Sequence, residues 1–319
     1  MPFDDTDYTK LLDKQTQLFV EKTENYYPAN TTELSIERQR VIYDDMCREF
    51  QRDYPEGVSA VDTTIPSAEI DIPVRRYSTK HDNTRSRIVY FHGGGFVVGG
   101  LESHDSICAE LCERTGCAVT SVDYRLAPEH IHPAALNDSV AAVVYECKTH
   151  GQNVVLCGDS SGGNLAAAVS HILRDNPVQG VVIKGQVLIY PLLNGPDLTE
   201  HANSYITHNK APMLTTDDVS YYSMIRTGGK HVDNIVSLLP LKDTYFGDLP
   251  GTVVFSAECD PLCDDGPQYC NAIKLAGGAA QVFIEKGLVH GYLRARHTVD
   301  LARDSFDRIV SSLLEMSKG

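Results

Sequence analysis

Residues 154–163 read VVLCGDSSGG, an apolar run that leads into a serine flanked by glycines. The apolar part predicts a buried strand, and the residues from Asn164 to Arg174 carry a helical pattern. Ser160 is therefore predicted on a sharp turn between a strand and a helix, where glycines leave room for the tight backbone. Such a turn, called a nucleophile elbow, presents a serine hydroxyl for covalent chemistry.

A second glycine-rich turn lies upstream and also follows an apolar run, residues 88–91. It reads His92-Gly93-Gly94-Gly95-Phe96. Consecutive glycines let backbone N–H groups approach a negatively charged oxygen with no side chains in the way. We expect the three glycines and Ser161 to supply these N–H groups as an oxyanion hole. A lone G-x-S-x-G motif is a weak signal, but two such turns in this order, each after a strand, are a far stronger one.

A serine hydroxyl is a weak nucleophile at neutral pH, so it needs a base, and the base needs an orienting acid. In α/β-hydrolases the acid and then the base follow the serine along the chain. Among the later histidines, His290 follows the strand-like residues 281–284. His231 lies in a polar stretch with no strand before it, and His297 lies on the way into the last helix. We therefore predict His290 as the base.

Asp260 is the predicted acid because it ends an apolar, strand-like run. Pro261 follows it and would prevent a helix from beginning before that point. Asp264 fits better in the first turn of a helix over 265–275, where the helix dipole favours a carboxylate that has no catalytic role. Asp264 and Glu258 remain as alternatives for the acid.

Together these motifs resemble the bacterial hormone-sensitive-lipase-like esterases, a group of α/β-hydrolases. The matching segments lie within residues 88–292 in the family's order: His92–Phe96, Asp123–His130, Gly158–Gly163, Asp260–Asp264 and His290–Tyr292. The resemblance implies an α/β-hydrolase fold, with a mainly parallel central sheet, helices on both faces and a helical cap. It also implies a triad of Ser160, Asp260 and His290. Ser161 stands where the family usually has alanine, which is tolerable because that position contributes its backbone N–H.

The resemblance further implies a carboxylesterase, a serine hydrolase that acts on small esters through an acyl-enzyme without a metal or cofactor. Amide hydrolysis or deacetylation on the same triad is the alternative. A non-catalytic receptor is disfavoured because such relatives typically lose the triad histidine, and His290 is present. No segment resembles an interfacial amphipathic helix with a basic face, so short- to medium-chain acyl esters are the expected substrates.

The composition restricts the classes of molecule that this protein is expected to bind. The chain carries 28 basic and 43 acidic residues, for a net charge of −15. This acidity disfavours nucleic acid and anionic membranes, and it fits an uncharged substrate. The nine cysteines, an odd number without a CxxC pair, are expected to be buried and reduced. The amino terminus has no basic and apolar leader, so a cytoplasmic protein is expected, and a homo-oligomer is left open.

Periodicity predicts the order of the elements. Helices over 7–22 and 35–50 precede an antiparallel pair of strands over 58–65 and 70–77. Strands and helices then alternate, which is typical of a mainly parallel sheet. Strands are predicted near 87–91, 118–123, 153–157, 185–190, 252–256 and 281–285, and helices near 104–115, 134–149, 162–175, 265–276 and 299–317.

The stretch between Pro191 and Pro250 departs from this alternation. It is polar, with helical pieces near 216–226 and 231–238, and an insertion of this size commonly forms a lid. The resemblance implies that residues 195–239 join residues 1–50 as the cap, with 51–194 and 240–319 as the catalytic domain. The candidates to line a pocket beneath the cap are Tyr205, Met213, Leu214, Tyr221, Tyr222 and Met224.

Overall fold

One eight-stranded sheet organises the computed structural model, which describes residues 6–80, 86–150, 153–195, 203–230 and 235–318. Its strands are Val58–Pro66 (β1), Asp71–Thr79 (β2), Ser86–Phe91 (β3), Val119–Val122 (β4), Asn153–Asp159 (β5), Ile183–Ile189 (β6), Gly251–Cys259 (β7) and Ala280–Val289 (β8). The spatial order is β1-β2-β4-β3-β5-β6-β7-β8. β2 pairs antiparallel with both β1 and β4, and all pairs from β4 to β8 are parallel.

Helices cover both faces of the sheet. The α-helices of the described ranges are Tyr8–Leu11 (α1), Lys14–Glu24 (α2), Ile36–Glu49 (α3), Asp105–Thr115 (α4), Ala134–His150 (α5), Ser161–Asp175 (α6), Asn203–Thr207 (α7), Thr216–Thr227 (α8), Asp265–Leu275 (α9) and Asp300–Lys318 (α10). Side chains alternate across a strand, so the neighbours Ile88 and Val89 of β3 belong to different cores. Ile88 packs in the core of α4 and α10, and Val89 in the core of α5, α6 and α9. None of the helices that the structure describes is long and apolar enough to cross a bilayer.

The architecture confirms the predicted fold class, a mainly parallel sheet between helices with an antiparallel pair at its start. The single helix predicted over 7–22 is wrong, because the chain forms α1 and α2 instead. Asp13 separates them, and its side chain accepts a hydrogen bond from the Thr16 N–H at 2.7 Å as the N-cap of α2. Within the helical piece predicted over 231–238, Ile235–Ser237 forms a short 3₁₀ turn, and residues 231–234 lie outside the described residues.

The cysteines agree with the expectation from composition. All nine are free thiols within the described residues, and all but Cys263 are buried. Burial raises the pKa of Cys157, at the centre of the sheet, above its ordinary value. The thiols therefore pack as small apolar side chains.

The junction of β5 with α6 packs directly against the end of β3, and two glycines make this contact possible. A Cβ at Gly158 would overlap the carbonyl oxygen of Gly162, and a Cβ at Gly162 would overlap that of Phe91. Both obstacles are backbone atoms, so neither can rotate away as a flexible side chain would. The contact holds the turn at Ser160 beside the glycine turn that begins at His92.

Substitution of Gly162 by alanine is expected to lower the free energy of unfolding by about 2 kcal/mol or more, because the added methyl forces the two backbones apart. Gly251→Ala is the matched control, since nothing lies within 4 Å of a Cβ built there. Thermal and urea unfolding of both variants measures the difference. An unfolding midpoint for Gly162→Ala equal to that of Gly251→Ala would contradict the proposed backbone contact.

Candidate active site

Ser160 occupies a strained turn between β5 and α6. Its φ is +55° and its ψ is −118°, a backbone conformation that residues with a Cβ rarely adopt. On one side, a hydrogen bond from the Ser160 N–H to the Ile189 carbonyl, 2.8 Å long, holds the backbone in this conformation. On the other side α6 begins at the next residue, so the hydroxyl lies at the amino end of a helix. This is the predicted nucleophile elbow.

The hydroxyl of Ser160 begins a chain of two hydrogen bonds. His290 Nε2 lies 2.9 Å from Ser160 Oγ, and His290 Nδ1 lies 2.7 Å from Asp260 Oδ2. Asp260 is fully buried, and its second oxygen accepts the Leu262 N–H at 2.9 Å. Because a carboxylate only accepts, Nδ1 carries the proton, which leaves the Nε2 lone pair for the serine hydroxyl. The three side chains follow β5, β7 and β8, whose carboxyl ends share one edge of the sheet.

The alternative acids and bases have other partners. Asp264 accepts the N–H of the second residue of α7 at 3.0 Å, and Glu258 forms an ion pair with Lys286 at 2.6 Å. His297 lies 2.9 Å from a carboxylate of α4, away from the elbow. His231 lies outside the described residues. Of the described candidates, the structure brings only Asp260 and His290 together with Ser160.

The glycine turn faces the same space as Ser160, with one correction to the predicted donors. Gly94, Gly95 and Ser161 line the cavity that contains Ser160. The N–H of Gly93 instead donates to Asp159 Oδ1 at 3.0 Å, so this amide is already engaged and cannot serve an oxyanion. The sequence could not show this, because the competing acceptor comes from the other turn. Gly94 and Gly95 adopt φ values of +127° and +61°, which explains the requirement for glycine there.

The buried side chain of Asp159 holds the glycine turn through hydrogen bonds. Besides the Gly93 N–H, it accepts the Tyr90 hydroxyl at 2.7 Å and lies 3.3 Å from His104 Nε2. Burial alone would raise the pKa of this carboxyl, but His104, Arg294 and the Tyr90 hydroxyl together hold it well below its usual range. Asp159 is therefore a buried anion that ties the elbow to the glycine turn.

His92 stabilises the glycine turn through contacts of its ring and of its backbone carbonyl. Its Nδ1 donates to the Gly93 carbonyl at 2.8 Å, and its ring stacks on Tyr124 with centroids 4.3 Å apart. The Tyr124 hydroxyl donates to the His92 carbonyl at 2.6 Å. Burial, aided by His104, lowers the pKa of His92 to about 4, so the ring is neutral. These contacts give both side chains a structural role in the glycine turn.

The cavity above Ser160 has a volume of about 440 Å³ and is lined by residues from both segments assigned to the cap. Three of the six predicted lining residues contribute: Met213, Leu214 and Tyr222. The others do not line it. Tyr205 is buried and donates to Asp265, Tyr221 accepts from Gln39, and Met224 is 58% exposed. The division into cap and catalytic domain stays a prediction.

Sequence reasoning missed several residues of this cavity. Tyr27, Tyr43 and Met46 reach it from the first 50 residues, Tyr190 from the end of β6, and Arg294 from the turn after His290. Only Arg294 carried a usable signal, since it is a charged residue directly after the triad histidine loop. Among the described residues, no three His, Cys, Asp or Glu side chains are grouped as metal ligands.

Asp265 fixes the segment that follows β6. It is fully buried, and its Oδ2 accepts the N–H groups of Leu193 and Asn194 at 2.7 and 2.9 Å and the Tyr205 hydroxyl at 3.1 Å. Burial raises the pKa of Asp265 to about 7, with a smaller upward effect from Asp260, although the hydrogen bonds oppose the shift. A carboxyl close to Asp260 therefore titrates near neutral pH.

Asp265 is expected to make stability depend on pH. An unfolded aspartate has a pKa of about 4, so between about pH 4 and pH 7 the folded protein holds a proton that the unfolded chain releases. The free energy of unfolding contributed by this group therefore falls as pH rises through that window. Asp265→Asn stays neutral and keeps an acceptor for both N–H groups, so it should flatten this slope. Unfolding midpoints at about pH 4.5 and about pH 7.5 test it.

The control is Asp264→Asn, which removes the neighbouring, partly exposed carboxylate and should keep the wild-type slope. An Asp265→Asn variant with an undiminished slope would contradict this assignment.

Comparisons with known proteins agree with this geometry. The profile of the alpha/beta hydrolase fold family matches residues 88–294. The carboxylesterase NlhH of Mycobacterium tuberculosis is 33% identical over 258 residues, which cover 76% of this chain and 78% of NlhH. The carboxylic ester hydrolase LipN of the same organism is 33% identical over 247 residues, which cover 74% of this chain but only 65% of LipN. An esterase from Pyrobaculum calidifontis is similar in structure, with a TM-score of 0.85 at 28% identity over 97% of this chain and all of that one.

The matched region holds both glycine turns and the hydrogen-bonded Ser160, Asp260 and His290. The predicted family is therefore confirmed by the sequence comparison and by the structural comparison. The chain belongs to the α/β-hydrolase family, among its bacterial hormone-sensitive-lipase-like esterases.

Proposed function

We propose that the protein is a carboxylesterase that cleaves small esters through an acyl-enzyme on Ser160. The observation that carries the proposal is the chain of hydrogen bonds from Ser160 through His290 to Asp260, with its hydroxyl end in the cavity. As Oγ attacks the ester carbonyl carbon, His290 Nε2 takes the hydroxyl proton. Asp260 keeps the imidazole in the required tautomer and stabilises the positive charge that forms.

The attack places a negative charge on the former carbonyl oxygen. In this proposal the N–H groups of Gly94, Gly95 and Ser161 donate to it, aided by the amino end of α6. Removal of one such donor typically costs about 10²–10³ in rate. Gly93 is left out because Asp159 holds its N–H.

Collapse of the tetrahedral intermediate completes each half of the reaction. His290 gives its proton to the leaving oxygen, the ester C–O bond breaks, and the acyl group stays on Ser160. Water then attacks the acyl carbon while His290 takes its proton, and return of that proton to Oγ releases the acid. Every proton transfer thus has His290 Nε2 on one side and the attacking or leaving oxygen of that step on the other.

The size of the cavity supports short- to medium-chain substrates. Its volume of about 440 Å³ lies at the lower end of the range for small-molecule sites and leaves little space for a long acyl chain. In this proposal residues 1–50 and 195–239 act as the cap, and side chains such as Met213 and Leu214 limit the acyl length. The buried thiols, including Cys157, suit the reducing cytoplasm, which we propose as the location.

Hydrolysis of a p-nitrophenyl ester series from acetate to laurate tests the proposal. Ser160→Ala, His290→Ala and Asp260→Asn should each lower kcat by about 10⁴-fold or more, because the three act as one unit. Wild-type kcat/KM should be highest for acyl chains of about four to eight carbons. His297→Ala is the matched control and should keep wild-type rates, since His297 bonds to Glu110 away from the elbow.

A folded His290→Ala variant with more than about a tenth of the wild-type kcat would contradict the triad. A higher kcat/KM for the matched p-nitroanilides than for the esters would move the assignment to an amidase.

A further inference from the structure

Arg294 is a buried cation in the wall of the cavity that contains Ser160. Its side chain is only 6% exposed, yet it lines the cavity together with Tyr43 and Tyr190. The triad does not use it. A guanidinium is always charged in proteins and carries five N–H donors in a planar fork, so its burial beside a substrate cavity calls for partners.

The hydrogen bonds that Arg294 makes with the described residues leave most of this fork unused. They both involve Nη2, which lies 2.8 Å from the Tyr43 hydroxyl and 3.1 Å from Cys47 Sγ. His104 Nε2 lies 3.5 Å from the same nitrogen, but it donates to Asp159 and so does not accept from Arg294. Nε is buried and has no partner among those residues, and Nη1 makes no hydrogen bond to them either. Donors left unpaired in a deeply buried side chain are rare because they lose their hydrogen bonds to water, so an acceptor from outside the chain is the expected partner of Nη1.

The charge of Arg294 does have a counterpart, but a distant one. Asp159 lies beyond His104, and its oxygens already accept from Gly93, Tyr90 and His104. No carboxylate among the described residues lies within ion-pair distance of the guanidinium. Asp159 therefore offsets the charge without occupying the N–H groups. A residue that acted only as a counter-ion would not need free donors at the cavity wall.

The other charged groups of the cavity indicate which acceptor fits. Glu24, Asp159 and Asp218 also line it, so its lining carries three carboxylates against the single guanidinium of Arg294. A negatively charged group on a substrate would be repelled by these carboxylates and by the net charge of −15 on the chain. An uncharged oxygen accepts from a guanidinium without that penalty.

We propose that Arg294 is a specificity-determining residue that donates hydrogen bonds to an uncharged oxygen of the substrate, in a keto, ether or hydroxyl group remote from the scissile carbonyl. The substrate class is thus an oxygenated small ester rather than a plain alkyl ester. This inference rests on the proposed function, because Arg294 shares its cavity with Ser160. Tyr43 contributes by holding the guanidinium through its hydroxyl.

Two pairs of esters matched in length test the proposal on either side of the scissile bond. On the acyl side, p-nitrophenyl 4-oxopentanoate is compared with p-nitrophenyl pentanoate. On the alcohol side, 2-methoxyethyl butyrate is compared with butyl butyrate. The measured quantity is kcat/KM for the oxygenated ester divided by kcat/KM for the plain ester of the same pair. This ratio does not depend on how much of a variant is folded. Comparison between variants also cancels the intrinsic reactivity of each ester.

For at least one pair, the ratio should fall about tenfold to a hundredfold from wild type to Arg294→Met, which removes all donors at similar length. Arg294→Lys keeps the charge with fewer donors and should give an intermediate ratio, and it serves if the methionine variant does not fold. Arg296→Met is the matched control. It removes a buried arginine of the same turn that pairs with Glu110, so the ratio should stay at the wild-type value.

Equal ratios in wild type, Arg294→Met and Arg294→Lys for both pairs would overturn the proposal and leave Arg294 as a counter-ion of Asp159. A larger Arg294-dependent preference for p-nitrophenyl hemiglutarate than for the oxopentanoate would overturn the uncharged class. In either case the proposed function would still hold if the wild type hydrolyses p-nitrophenyl pentanoate and the Ser160→Ala variant does not. Pentanoate turnover that survives Ser160→Ala would instead contradict the proposed function.

Discussion

The buried carboxylate of Asp159 joins the two glycine-rich turns on which the site depends. It belongs to the elbow, next to Ser160, and it accepts the Gly93 N–H of the other turn. The adjacent parallel strands β3 and β5 already bring the two turns to one edge of the sheet. The carboxylate then fixes their remaining freedom, because a shift of either turn would leave a buried donor or acceptor unpaired at a cost of about 1–3 kcal/mol. The final position of Gly94 and Gly95 relative to Ser160 therefore depends on this one anion.

The sheet and the grouping of Ser160, Asp260 and His290 could be predicted from the sequence because their signals are local. An apolar run that ends in a glycine turn is a property of ten neighbouring residues, and so is the overlap of a Gly158 Cβ with the Gly162 carbonyl oxygen. The choice of Asp260 over Asp264 also rested on local chemistry, since one ends a strand and the other precedes a helix. Chain order then limited the base to a few histidines, and position after β8 selected His290.

The lining of the cavity could not be predicted in the same way, because it depends on which face of each helix points inward. Tyr221 and Tyr222 are neighbours in α8, yet only Tyr222 reaches the cavity, since successive residues of a helix point about 100° apart. The engaged N–H of Gly93 was equally hidden, because its acceptor lies far along the chain. The raised pKa of Asp265 depends on complete burial, which only the assembled fold provides.

Contacts between residues that are far apart in the chain also link Asp159 to Arg294 in the wall of the cavity. Arg294 reaches Tyr43 of α3 on one side and, through His104, the Asp159 carboxylate on the other. A lysine here could offset the charge of Asp159, but a single ammonium cannot contact these groups and still present further donors in a fixed plane. A guanidinium does both, because one nitrogen serves the protein and the rest of the fork remains free. The chemistry of the side chain thus argues that stabilisation of the Asp159 carboxylate and recognition of a substrate oxygen are combined in one residue.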